Sequence, residues 1–79
     1  MNDGNLSLSG FVRSRRKASR LSQRELAELA GVGTRFVSEL ERAKPTVRLH
    51  EVNQVLAVFG KQLGIVDAPK ETPREEPQR

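Results

Sequence analysis

Apolar residues recur at intervals of three and four in four separate runs of this chain, with polar or glycine-containing breaks between them. Leu8, Phe11 and Val12 share one face with Arg16, which predicts a helix running from a cap at Ser7 or Ser9 to about Ser19. In the second run, Ser22 and Glu25 stand three apart as a capping box, and Leu26, Ala27, Leu29 and Ala30 form the stripe. Gly31 ends that helix, because glycine takes a left-handed conformation without steric cost, and Val32 turns back towards the core. Gly33 and Thr34 open a third helix whose inward positions are Val37, Leu40 and Glu41. The connection AKPTVR follows, in which Pro45 forbids helix continuation and Val47 points inward. Leu49, Val52, Val55, Leu56 and Phe59 mark a fourth helix, closed by Gly60. The pattern predicts an all-α domain.

After Gly60 the period changes. Lys61 to Val66 is too short for another helix and places Leu63 and Ile65 two apart, the spacing of a strand. A lone strand in a helical domain has two outcomes. It pairs with its counterpart in a second copy, through Leu63, Gly64, Ile65 and Val66, or it lies as an extended tail on its own subunit; pairing is the more economical. Residues 1–6 are polar and expected to be flexible. Residues 67–79 have three prolines four apart and no aromatic or branched aliphatic residue, a composition that cannot bury enough surface to fold. The chain therefore divides into a flexible start (1–6), a helical domain (7–60), a dimerising strand (61–66) and a disordered tail (67–79).

Length and composition narrow the function. Seventy-nine residues, 35% of them hydrophobic, make one domain near the lower limit for an independent core, so dimerisation is a natural source of further burial. The chain has no cysteine, which excludes disulfides, thiol catalysis and cysteine-based metal sites. No run approaches the length of a membrane span and the first residues lack a signal-peptide layout, so a cytoplasmic protein without a membrane partner is expected. Residues 1–66 carry eleven Lys and Arg against six Asp and Glu, and Arg13 to Arg24 contains six basic residues and no acid. On its own that run reads equally as a solvated helix face; a polyanionic partner would neutralise its self-repulsion.

Two charges stand on apolar faces, Arg16 on the first helix and Glu41 on the third. A lone buried charge is prohibitive, so the two are expected to form a structural ion pair. The stretch Leu21 to Arg42 is then helix, glycine-containing turn, helix, which reads as the unit that lays its second helix in the DNA major groove, with a plain helical hairpin of some other small all-α domain as the alternative. An enzyme is not expected. His50 is the single histidine, with no second one to build a metal site or a nucleophile–base pair, and reads as an exposed helix-start residue. No Gly-rich phosphate loop is present and no cofactor is expected.

The stretch from Phe11 to Ile65 resembles the xenobiotic-response-element family of helix-turn-helix domains, which have the lambda-repressor-like fold. Within it LSQRELAELAGVG, FVSELE, KPTVRL and VLAVFGKQLGI are similar to the HipB-type antitoxins. The resemblance implies a homodimeric repressor that binds double-stranded operator DNA, autoregulates its operon and binds a HipA-type kinase toxin. It also implies residue roles. Gln23 would bond a backbone phosphate and also brace the recognition helix, and Arg24 would reach phosphate or a base edge. The recognition helix, opened by Gly33, would present Thr34, Arg35 and Ser38 outward. Arg35 is placed for bidentate contact with guanine, with phosphate binding as the alternative. Phe36 would edge the core or touch a thymine methyl, the core being favoured. Arg13, Lys17, Lys44 and Arg48 are candidates for peripheral phosphate contacts. The chain departs from the family at Arg20, where glycine is usual, and at Gly33, where Ser or Thr often caps the recognition helix. The other readings are a stand-alone phage-type repressor and a protein-interaction adaptor retaining the fold. An adaptor would show acidic or bulky apolar residues where this chain has Thr34, Arg35 and Ser38.

Overall fold

The computed structural model describes residues 7–68. Four helices follow one another: α1 (Leu8–Ala18), α2 (Gln23–Ala30), α3 (Thr34–Glu41) and α4 (Leu49–Val58). The expected flexible start, and the expected tail beyond Ala68, lie outside the described residues. α2 is the central element, packing against both α3 and α4, while α1 packs on α3. Val12, Leu26, Ala27, Val37, Leu40, Val52, Val55 and Leu56 form the buried core. Leu8, Phe11, Val32, Val47, Phe59 and Leu63 pack partly buried around it. No helix among the described residues is long and apolar enough to cross a membrane.

The first two helices start on side-chain caps. Ser7 Oγ accepts from Gly10 N–H at 3.2 Å. Ser22 Oγ accepts from Glu25 N–H at 3.0 Å while Glu25 Oε1 accepts from Ser22 N–H at 2.8 Å, the reciprocal box. Gly33 and Arg48 precede α3 and α4 without a side-chain cap.

All four helices end in one hydrogen-bond pattern. In each, the residue after a left-handed position donates to a carbonyl five residues back: Leu21 to Arg16, Val32 to Ala27, Lys44 to Glu39 and Lys61 to Leu56. Glycine occupies the left-handed position twice, at Gly31 (φ 76°) and Gly60 (φ 73°). Arg20 (φ 59°) and Ala43 (φ 62°) occupy it at the other two ends. The turn before α2 thus keeps the conformation a glycine would take, although Arg20 stands there.

Two leucines assigned to apolar stripes are exposed, Leu29 at 63% and Leu49 at 69%. With Leu26, Ala27 and Ala30 turned inward, helical geometry puts Leu29 roughly 100° from the centre of the stripe. Leu49 overhangs the core from the first position of α4, one turn before Val52.

Residues 61–68 form no regular secondary structure in the single chain. Leu63 is half-buried against the core, and its N–H donates to Asn53 Oδ1 at 2.7 Å. Ile65 and Val66 are fully exposed, so Leu63 and Ile65 do not share a covered face within one copy. Leu49, Asn53, Leu63, Gly64 and Ile65 line an open groove at this end of α4.

Candidate nucleic-acid interface

α3 is held from behind by one carboxylate. Glu41 is the single charged residue in the described core, its side chain 2% exposed. Arg16 of α1 donates to it twice, Nε to Oε2 at 2.6 Å and Nη2 to Oε1 at 3.0 Å, and Gln23 Nε2 of α2 adds a bond to Oε1 at 3.1 Å. Arg16 Nη1 also donates to the Leu21 carbonyl at 2.8 Å, fixing the turn between α1 and α2. Arg13 Nη2 donates to the backbone carbonyl of Glu41 at 2.9 Å, satisfying an acceptor that the end of α3 would leave open. Burial pushes the Glu41 carboxyl upward, but the bonds from Arg16 and Gln23, with the charges of Arg16 and Arg13, outweigh it and leave it below the usual carboxylate range. Three helices therefore meet on one residue, and the orientation of α3 relative to α1 and α2 is set there.

The basic run from Arg13 to Arg24 divides accordingly. Arg16 and Arg13 serve Glu41, and Arg15 lies over the rings of Phe11 and Phe59, 5.5 and 5.8 Å from their centroids. Arg24 is 80% exposed and pairs weakly with Glu28 at 3.5 Å. Lys17 and Arg20 are exposed and enter no ion pair among the described residues. Spacing alone shows that these cations are concentrated; it does not show which of them reach across to a neighbouring helix.

On the other side of α3, Thr34 and Arg35 are exposed and Ser38 is half-buried. Gly33 supplies no side chain at the start of α3, and a Cβ there would meet nothing within 4 Å, so the backbone at that end lies open. Arg35 is 89% exposed, with Nε donating to Glu39 Oε2 at 3.2 Å. Lys44 Nζ reaches the same oxygen at 3.3 Å from beyond the end of the helix. Lys44 contributes most to holding the Glu39 carboxyl below its ordinary value; partial burial opposes this and Arg35 adds to it. Phe36 is half-buried, packs against the core, and lines a shallow cleft with Arg35, Val47 and Arg48. Arg48 is 82% exposed and stands 3.8 Å from Glu51. His50 is exposed at the start of α4.

A helix anchored from within by a shared carboxylate, with small polar and basic residues on its outer face and a tight turn joining it to the preceding helix, defines a helix-turn-helix domain. The comparison with known families agrees: residues 7–63 match the family model described as a helix-turn-helix domain, and the chain belongs to that family. It is also 45% identical over 64 residues to an uncharacterised HTH-type transcriptional regulator, y4mF, of Sinorhizobium fredii, an alignment covering 81% of this chain and 83% of the relative.

Proposed function

We propose that the protein is a sequence-specific, DNA-binding transcriptional repressor that acts as a homodimer. The observation that carries this reading is the two-sided character of α3, locked through Glu41 on its inner side and offering Thr34, Arg35 and Ser38 on its outer side. That is the arrangement needed for a rigid helix to enter the major groove, with Arg35 facing base edges and Gln23, Arg24 and the open backbone at Gly33 facing phosphates. Membership of the helix-turn-helix family and the likeness to a protein described as a transcriptional regulator support it. No catalytic role is assigned.

In its more specific form the proposal makes this protein the antitoxin of a HipBA-like system, repressing its own operon and binding a kinase toxin in the cytoplasm. The similarity of KPTVRL and of the segment after α4 to HipB-type antitoxins supports that form, as do the bare Ile65 and Val66 beside the groove of Leu49 and Leu63. One unit reads only a few base pairs, and fixed half-site separation, about 34–36 Å or a multiple, requires a dimer. Residues 63–66 are its proposed seam, two copies pairing antiparallel through Gly64. A Cβ at Gly64 meets nothing within 4 Å, so a substitution there leaves the single subunit unhindered. Gly64→Pro removes a backbone donor from the seam and is expected to sediment as a monomer with its helical signal intact. A dimer of undiminished stability would move the interface to another surface.

The function itself is tested by titrating the full chain against the DNA upstream of its own gene. Retention of that fragment over a scrambled duplex is expected, with a log–log salt slope of about −0.9 for each phosphate neutralised. Equal affinity for both duplexes, or affinity indifferent to salt between about 50 and 200 mM, would refute the assigned surface. Co-purification with the product of the neighbouring gene tests the antitoxin form.

A further inference from the structure

We infer that Glu39 is a specificity-determining residue: it holds the Arg35 guanidinium by Nε so that the Nη1–Nη2 edge is presented, already oriented, to a guanine in the major groove. The inference rests on the reading of Arg35 as a base contact. An arginine that is 89% exposed has many rotamers, and the entropy lost in fixing it would be charged against every base contact it makes. Here the side chain is tethered at one point. Nε donates to Glu39 Oε2, and no acceptor among the described residues takes Nη1 or Nη2. Nε is the one donor that can be given up without dismantling the outer fork, whose two nitrogens match guanine O6 and N7.

The carboxylate is itself fixed. Glu39 is only 18% exposed, and Lys44 Nζ bonds the same Oε2. Lys44 is brought there by the end of α3, where Ala43 turns left-handed and Lys44 N–H returns to the Glu39 carbonyl at 3.0 Å. Arg35, Glu39 and Lys44 therefore form a short relay along the outer edge of the recognition helix. An acidic residue so close to the DNA lowers affinity for phosphate in general, and the second cation offsets that cost while leaving the tether in place. The relay thus trades non-specific attraction for orientation.

The two consequences of Glu39, its charge and its geometry, separate in two variants of the full chain. A duplex library with a randomised centre defines the enriched site, and affinities are then measured for that duplex and a scrambled one of equal length. Glu39→Asp keeps the charge but is one methylene too short to reach Nε, and Glu39→Gln keeps the length and loses the charge. If Glu39 positions Arg35, Glu39→Asp lowers the ratio of enriched to scrambled affinity by about three- to tenfold, within the discrimination one bidentate pair supplies. Glu39→Gln, whose amide oxygen still accepts from Nε, strengthens binding to both duplexes but keeps most of the ratio, so that the two variants part. If Glu39 acts only as a charge, Glu39→Asp matches the parent, Glu39→Gln strengthens both duplexes alike, and the inference is overturned. Arg35→Ala tells this failure from that of the underlying reading. It should abolish the preference at one base pair per half-site; an unchanged preference would mean that Arg35 is a phosphate ligand and that there is no base contact for Glu39 to orient.

Discussion

Glu41 and Glu39 stand two residues apart on α3 and point to opposite sides of it, one into the junction of three helices and the other along the outer edge. Each carboxylate accepts hydrogen bonds from two side chains, and each is held below the usual range. Their exposures, 2% and 18%, and the origin of their partners make them different objects. Glu41 is reached from α1 and α2, so its bonds fix how helices sit against one another. Glu39 is reached from its own helix and the turn just after it, so its bonds fix only local side chains. A buried pair is costly to break, because the surviving charge is stranded away from water, even where the intact pair adds little over a packed apolar contact. An outer-edge pair is worth at most about 1 kcal/mol to folding and acts on orientation instead.

The largest effect should come from breaking the inner site. Glu41→Ala strands Arg16 and removes the acceptor of Gln23, and it should destabilise the fold by roughly 3–5 kcal/mol in chemical denaturation, a large part of the stability of so small a domain. Arg16→Met combined with Glu41→Leu should recover most of that loss, since the stranded charge goes with its partner. The pH dependence has a definite sign. The folded carboxyl lies below the unfolded one, so the folded state favours the ionised form. That stability is fully present above the unfolded value, about pH 4.3, and is lost as the pH falls through the lower folded value. Stability should therefore fall on acidification below about pH 4.5, more steeply than in the Arg16→Met, Glu41→Leu double variant. Parallel curves for the two proteins would show that the junction does not carry this dependence.

The same contrast explains what could be read from the sequence. The Arg16–Glu41 contact is legible because a charge on an apolar stripe has few ways to be satisfied, and each of these helices has one such charge. Ser22, Glu25 and Gly31 are legible because caps and stops depend on nearby residues alone. The outer edge is harder to read. Lys44 returns to Glu39 only because the chain turns left-handed at Ala43, a residue with no preference for that conformation. Arg13 and Arg15, read as part of a basic surface, reach the Glu41 carbonyl and the rings of Phe11 and Phe59, because long cationic side chains cross to neighbouring helices at distances that helical periodicity does not fix. Leu29 and Leu49 fell on apolar spacings yet are exposed, since spacing cannot say how wide a stripe the neighbours cover or where along its length coverage ends. Gln23 bonds Glu41, so the brace is formed in the protein alone.

The smallest effect concerns the turns that close these two regions. Arg20 ends α1 beside the inner junction and Ala43 ends α3 beside the outer relay, both at φ near 60°, where the other two helices use glycine. The left-handed region costs a residue with a Cβ about 1–2 kcal/mol, and replacement by glycine removes that cost while adding freedom to the unfolded chain. The net gain should be roughly 0.5–1 kcal/mol for Ala43→Gly, whose side chain is exposed and forms no hydrogen bond of its own. Arg20→Gly should gain a similar amount in folding, with its side chain also exposed. The two variants should part on DNA. Arg20→Gly removes a cation, and if that cation meets a phosphate it should make the salt slope shallower by about one phosphate. Ala43→Gly changes no charge but loosens the turn that carries Lys44 back to Glu39, so it should leave the slope alone and slightly lower discrimination between the enriched and scrambled duplexes. A stabilised Ala43→Gly variant with undiminished discrimination would show that the relay orients Arg35 through Glu39 without help from the turn.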